Sequence, residues 1–445
     1  MKALAVLCLT IVTSLNAATI AVIDSGTDLN HPRIKLNNWN NDAVVFTGPY
    51  AGAFNGWNFA ENNSQVFDNT LLSTFDPEMK KFNTISSKSF MFTMTDEEKT
   101  WAKEKMKTPG FDKEVGRYST YIHGTHVAGI AVNGTNNKVM AIKLLATPAK
   151  AVLMQEHKKK SAANDELKPL EPGMVLNYIL TRLAFENAEK MKLISTFIAA
   201  NGADVANGSF GMGMLQAMGI ANQAFQITYK RAPTDQELIA ASMSFMNLSI
   251  RAGEAFVAAA PKTLFVFAAG NDSLSNDELG STPANIKADN TITVAATYKD
   301  QYFAPFSNYG TKMVEVAAPG MIIMSSIPGN DYMEVSGTSQ AAPYVSNIAG
   351  RIKDANAGLT PLKIKKILMG TVDKKEFLKA RVTSGGIVNA ERAVYAAIMS
   401  RMVTIEEAIE RSHLAVPVKL IKLKSAILSN GPRNVRPTPM PSLYE

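Results

Sequence analysis

Near its start the chain runs Thr19-Ile20-Ala21-Val22-Ile23-Asp24-Ser25-Gly26. Residues 19–23 are apolar or β-branched without a break, the pattern of a strand buried on both faces. A carboxylate follows at once. Asp24 is costly to bury there unless something pairs with it. Ser25-Gly26 then turn the chain. Taken alone, Asp24 reads as a turn residue or as a carboxylate that orients another side chain.

Further strand patterns follow at 139–145, 204–207, 263–269, 291–297 and 313–317, and helical periodicity fills 175–191, 235–260 and 339–354. Strands alternating with helices imply an α/β fold, a mainly parallel sheet with helices on both faces. Functional side chains of such sheets gather beyond the carboxyl ends of the strands. The polar residues that stand out lie at such places: Asp24, then Gly208-Ser209-Phe210-Gly211, then Gly270-Asn271. A core domain at 19–400 carries two additions, near 55–121 and 146–172. The first is polar and irregular, with a helical stretch around 95–107. The second is rich in Lys, Pro and Ala and reads as surface. A C-terminal extension, 401–445, holds a short helix pattern at 404–411, an alternating run at 416–423 and a proline-rich, flexible end at 430–445.

Of the 445 residues 46% are apolar and 19% charged, which fits a folded protein with a substantial core. The net charge of +7 is spread out; the basic runs at 158–160 and 363–366 are short, and no nucleic-acid module signature is present, so no nucleic-acid partner is expected. Residues 1–18 read as a secretory signal: Lys2, an apolar run at 3–12 too short for a mature membrane helix, then Ala17-Ala18. That implies export, to the periplasm or beyond. The single cysteine, Cys8, falls inside this segment, and Val6-Leu7 before it do not suit lipid attachment. The mature chain would then have neither disulfides nor thiol chemistry. The next most apolar stretch, 252–269, is broken by Glu254, Pro261 and Lys262, so no membrane span is expected in the mature chain.

Three more segments carry candidate chemistry. His123-Gly124-Thr125-His126-Val127-Ala128-Gly129 reads as the start of a helix that packs closely through Ala128 and Gly129, with His123 at a cleft mouth and His126 turned inward. His31, His157 and His413 have no chemical partner in sequence and read as structural or surface residues. In Ser336-Gly337-Thr338-Ser339-Gln340-Ala341-Ala342-Pro343 a serine begins a helix. It is either a cap or a nucleophile beside free backbone N–H groups. In Ala268-Ala269-Gly270-Asn271 the amide is either a turn residue or a donor to developing negative charge. The order Asp, His, Asn, Ser differs from that of trypsin-like and α/β-hydrolase enzymes, and no G-x-S-x-G elbow surrounds Ser339.

Taken together, Ile23-Asp24-Ser25-Gly26, His123 to Gly129 and Gly337 to Pro343 resemble the three signatures of the subtilisin-like (subtilase) serine proteases. Ala269-Gly270-Asn271 resembles the family's oxyanion-hole segment, Ser209-Phe210-Gly211 its substrate-pairing strand, and Ala318-Pro319-Gly320 the turn before the nucleophile. The resemblance runs over 19–397. It implies a three-layer fold and an endopeptidase acting on proteins or peptides with no cofactor for catalysis. Ser339 would be nucleophile, His123 base and Asp24 its orienter; Asn271 and the Ser339 N–H would form the oxyanion hole, with Ser209, Phe210, Gly211 and Gly270 meeting substrate. The family's pro-domain and N-terminal arm have no room before Asp24 if the signal ends at 18. Without the arm, its shared calcium site is in doubt. Asp272, Asp277 and Asp289 match no calcium loop, so no metal ligand is assigned. Gln340 stands where many relatives have Met and Tyr344 where many have His; Tyr344 reads as packing. Pocket walls from 209–213 and from just after Asn271 to about 284 look small and apolar, with no acid placed clearly to bind a basic side chain. The rival readings are a catalytically silent member serving as a binding or structural protein, and an esterase or amidase.

Overall fold

The computed structural model describes residues 17–41, 48–89, 93–147 and 171–417. Cys8, His157, most of 1–18, most of 146–172 and the chain beyond 417 lie outside them. In chain order the strands are β1 (Thr19–Asp24), β2 (Gly56–Asn58), β3 (Lys138–Lys143), β4 (Val205–Gly208), β5 (Met212–Gly213), β6 (Leu264–Ala268) and β7 (Ser281–Thr282). There follow β8 (Thr291–Tyr298), β9 (Tyr302–Phe303), β10 (Val316–Pro319), β11 (Ile323–Ile327), β12 (Asp331–Val335), β13 (Asp373–Lys374) and β14 (Gly386–Ile387). The helices are α1 (Pro77–Ser89), α2 (Asp96–Lys105), α3 (Phe111–Ala131), α4 (Pro172–Ala200) and α5 (Met214–Tyr229). After them come α6 (Asp235–Ala258), α7 (Thr338–Ala355), α8 (Pro361–Gly370), α9 (Ala390–Met399) and α10 (Ile405–Ala415).

Ten strands form one sheet, in the order β2-β3-β1-β4-β6-β8-β10-β14-β13 with β9 on β8. Its ladders are parallel except at β13–β14 and β8–β9. Side chains of a strand alternate between faces. Ile20 and Val22 of β1 pack on one side with Val127 of α3 and Val345 and Ile348 of α7. Ala21 and Ile23 pack on the other with Ile194 and Phe197 of α4 and Phe256 and Val257 of α6. The uninterrupted apolar run at the start of the chain follows from this: both faces of β1 are core. The chain leaves β1 to build β2 and β3 on one side and β4 onward on the other. Asp24 therefore ends the strand where the winding direction switches.

Several elements differ from the sequence reading. Helix α3 begins at Phe111, so His123 lies inside it and not at its start. Its first half is amphipathic: Tyr118, Tyr121 and Ile122 pack with Met79 of α1 and with Met333 and Val335 of β12. Within 55–121, β2 is no surface addition but a parallel partner of β3. Helix α2 matches its expectation, with a Thr95–Glu98 capping box. Helix α5 was not anticipated, because its buried stripe is built on the small residues Ala217, Ala221 and Ala224. The β11–β12 hairpin was also missed; it turns through Gly329 and Asn330, both with positive φ.

A close approach occurs where α3 meets the turn after β1. A Cβ on Gly124 would lie 2.1 Å from the Gly26 carbonyl oxygen. A Cβ on Gly129 would lie 2.1 Å from Ser326 Oγ. Backbone cannot yield as a side-chain tip can. Gly124→Ala is therefore expected to destabilise the fold by about 3 kcal/mol, although alanine favours helix. Thermal or urea unfolding measures this; unchanged stability would refute the close approach.

Candidate active site

Asp24 is completely buried at the carboxyl end of β1. Its Oδ1 accepts the Ser25 N–H at 2.7 Å and the His123 Nδ1–H at 2.7 Å, while Oδ2 has no partner among the described residues. The Gly124 N–H donates to Ser25 Oγ at 3.2 Å, which ties α3 to the same turn. With Nδ1 donating to a carboxylate, the imidazole keeps its lone pair on Nε2. His123 is 2% exposed.

Ser339 lies in the first turn of α7 and is also 2% exposed. Its Oγ donates to the Ser209 carbonyl at 3.2 Å, and its own carbonyl accepts Ser209 Oγ at 2.9 Å. Asn207 Nδ2 donates to Ser209 Oγ at 2.9 Å, and Asn207 Oδ1 accepts Ser346 Oγ of α7 at 2.9 Å. The end of β4 and the start of α7 are thereby fixed to each other. Among the described residues no hydrogen bond links His123 to Ser339. Their segments touch one step further on: Gln340 Nε2 stands 3.5 Å from Nδ1 of His126, one helical turn after His123. His126 points inward as expected. Its ring donates from Nε2 to the carbonyls of Ile323 (3.1 Å) and Met333 (3.0 Å). Burial pushes its pKa down to about 3, so it stays neutral.

Asn271 follows β6 by a turn through Gly270, whose φ is +113°. A Cβ on Gly270 would come 2.4 Å from Asn308 Nδ2, so only glycine fits. Both N–H and Oγ1–H of Thr338 donate to Asn271 Oδ1 at 2.9 Å, and Thr338 Oγ1 accepts the Gly270 N–H at 3.2 Å. Asn271 Nδ2 is buried and has no partner among the described residues. A Cβ on Gly337 would lie 3.4 Å from Asn271 Nδ2 and 3.6 Å from the Ser339 backbone N. The two donors thus flank one small space that a side chain at position 337 would crowd.

Phe210 is fully buried in one cluster with Phe256 and Phe265, so its ring is core. Strand β5, just after Gly211, pairs antiparallel with β7. This joins the two segments expected to wall the pocket. The walls do contain an acid: a Cβ on Gly213 would meet Asp272 Oδ2 at 2.3 Å. Burial raises the Asp272 pKa, against the hydrogen bond to Asn308 that lowers it. The contact was not legible in sequence, since Asp272 and Gly213 are far apart along the chain.

Asp277 accepts N–H groups of Thr311 (2.8 Å), Lys312 (3.1 Å) and Met313 (2.9 Å). Asp289 is exposed. Among the described residues no group of three or more His, Cys, Asp or Glu is placed to hold a metal ion. His31 Nε2 bonds the Asp331 carbonyl at 3.0 Å and His413 Nε2 the Gly370 carbonyl at 2.8 Å. Tyr344, read as packing, is 37% exposed. Among the described residues no helix is long and apolar enough to cross a membrane. Thr338 is the residue the sequence reading missed. It sat inside a recognised motif, but its bonds to Asn271 exist only across 67 residues of chain.

The model of the subtilase family matches residues 16–388. A stretch of 141 residues is 35% identical to subtilisin-like protease 2 of Plasmodium falciparum, covering 31% of this chain and 10% of that protein. One of 144 residues is 38% identical to an extracellular protease of Xanthomonas campestris pv. campestris, covering 31% of this chain and 24% of that one. The alignments thus span a tenth to a quarter of those relatives' lengths. Among solved structures, a cold-adapted subtilisin-like serine proteinase aligns over 85% of this chain and 92% of its own, at 18% identity and a TM-score of 0.45. With most of its length matched by one family, and with an α/β fold built on a mainly parallel sheet, this chain belongs to the subtilase family.

Proposed function

We propose that this chain is an exported serine endopeptidase that hydrolyses peptide bonds in proteins through an acyl-enzyme. Ser339 is the nucleophile. Rotation of its hydroxyl away from the Ser209 carbonyl delivers the proton to His123 Nε2 as Oγ attacks the scissile carbonyl. His123 then gives that proton to the leaving amine, and a water repeats the sequence to release the acid. Asp24 holds the imidazole in the required tautomer and stabilises its charged form. The tetrahedral oxyanion is met by Asn271 Nδ2 and the Ser339 N–H. Ser209, Phe210 and Gly211 pair with the substrate backbone, and Gly270 provides the turn that aims Asn271. Catalysis needs no cofactor. The segment 1–18 directs the chain to the periplasm or outside the cell.

The observation that carries this reading is the Asn271 amide. Its oxygen is held by two donors of Thr338, and its NH2 is buried, without a partner among the described residues, and borders the same space beside Gly337 as the backbone N of Ser339. A buried donor left unbonded costs stability and needs an explanation. An anion that exists only in the transition state supplies one.

The test pairs a serine-directed organophosphonate with denatured casein. The mature protein is expected to degrade casein, to lose this activity on treatment and to carry the label on Ser339. Asn271→Ala is expected to lower kcat by about 10²–10³-fold with KM little changed. Labelling of another serine, or a normal kcat in Asn271→Ala, would remove these residues from their roles.

A further inference from the structure

The amino end of β1 lies at the opposite end of that strand from Asp24. There the backbone N–H of Ala18, itself 2% exposed, donates to Asp354 Oδ1 at 2.7 Å. The next N–H, of Thr19, donates to Asp204 Oδ2 at 3.1 Å. Two carboxylates thus grip two consecutive backbone nitrogens. They do so beside a cleft of about 560 Å3, which Ala17, Lys138 and Lys353 also line. The nearby cations are otherwise engaged. Lys353 Nζ stands 3.6 Å from Asp204 Oδ1, and Lys138 Nζ donates to the Leu36 carbonyl at 3.0 Å. Among the described residues no lysine or arginine is ion-paired with Asp354. Burial and the neighbouring Asp204 charge both raise the Asp354 pKa, as expected of a carboxylate short of a cation. An amide N–H is a weak partner for such a group; an ammonium at the same place is a strong one.

Ala17 and Ala18 are also the small residues that close the apolar leader in sequence. We infer that the chain is cut at the Ala17–Ala18 bond, and that the α-ammonium so released on Ala18 is the cation that Asp354 holds, with the Thr19 N–H kept on Asp204. The cut is a hydrolysis by a leader-removing endopeptidase. One water is consumed, the leader departs with a carboxylate on Ala17, and Ala18 gains the ammonium. The site lies one residue before the boundary read from sequence, and the inference rests on the export reading above. Its consequence is that removal of the leader adds an ion pair to the strand whose far end carries Asp24.

The test has two readouts, both on protein inactivated with an organophosphonate. First, the N-terminus of protein recovered from an exporting host is sequenced; Ala18 is the expected first residue. Second, melting temperatures are compared for a chain released at Ala18 by tag cleavage and one begun at Asn16, each with and without Asp354→Asn. The substitution is expected to lower Tm by about 3 °C in the Ala18 chain and far less in the longer one. An α-amine titrates near about pH 8 when unfolded, and the carboxylates raise that value in the folded chain. The added stability is therefore full below about pH 8 and fades as pH rises through the folded value. A first residue of Thr19 or later overturns the cut. An uncut chain overturns the cut and the export reading together, and the tag-released chain then still tests the clamp. Equal losses of Tm in the two chains overturn the clamp alone.

Discussion

Ser339→Ala is expected to lower kcat for casein and for peptide substrates by about 10⁶-fold, with substrate binding retained. The hydroxyl of Thr338, its neighbour in the chain, is committed to Asn271 Oδ1. The neighbouring Ser209 Oγ is engaged by Asn207 Nδ2 and by the Ser339 carbonyl, so it can neither move nor be activated without undoing the join between β4 and α7. The alanine variant loses only one weak bond, 3.2 Å from Oγ to the Ser209 carbonyl, so its fold should melt close to the parent. Steady-state kinetics beside a thermal melt separate lost chemistry from lost structure. Casein cleavage persisting at more than a thousandth of the parent rate would take Ser339 out of the nucleophile's place. A parent protein that cleaves no casein would instead revive the reading of a protein that binds rather than cuts.

Asp24→Asn is expected to reduce kcat by about 10⁴-fold. The reason is local. Oδ1 alone accepts both the Ser25 N–H and the His123 Nδ1–H, while Oδ2 is buried without a partner. An asparagine can be seated in two ways. With its oxygen toward His123, its NH2 occupies the unpartnered position and leaves two buried donors unsatisfied. With its NH2 toward His123, Nδ1 must become the acceptor, and the proton moves to Nε2. The imidazole then has no lone pair for the Ser339 proton. Either seating removes the negative charge that would stabilise the imidazolium. The loss should appear in kcat, because the substrate does not touch Asp24. A variant within tenfold of the parent would show that His123 needs no carboxylate.

Much of the fold could be read along the chain because both faces of its central strands are covered. The unbroken runs of β1 and of β6 admit no wet face, and that requires helices on each side. Helices α6 and α7 were placed to within a few residues, since caps and periodicity act within one or two turns. Elements whose reason lies elsewhere were not legible. The first half of α3 looked irregular because α1 and β12, distant in sequence, cover its apolar side. Strand β2 is a three-residue strand joined to β3 through Gly56, where a Cβ would lie 1.8 Å from the Ala141 carbonyl oxygen. No local pattern announces such an edge.

The candidate site divides in the same way. The sequence by itself determined the chemical groups: a carboxylate ending a buried strand, an imidazole, an amide and a hydroxyl, each inside a short motif. These are properties of residue type and near neighbours, so they survive without coordinates. Only the tertiary structure decided how the groups are held. It showed that one oxygen of Asp24 serves both Ser25 and His123, and that Thr338 turns the Asn271 amide so that its NH2 is left free. It also placed Asp272 against Gly213 and set Ala18 on Asp354. Each of these is a contact between segments far apart in the chain, and a hydrogen bond or a steric fit acts over a few ångströms in space regardless of separation in sequence.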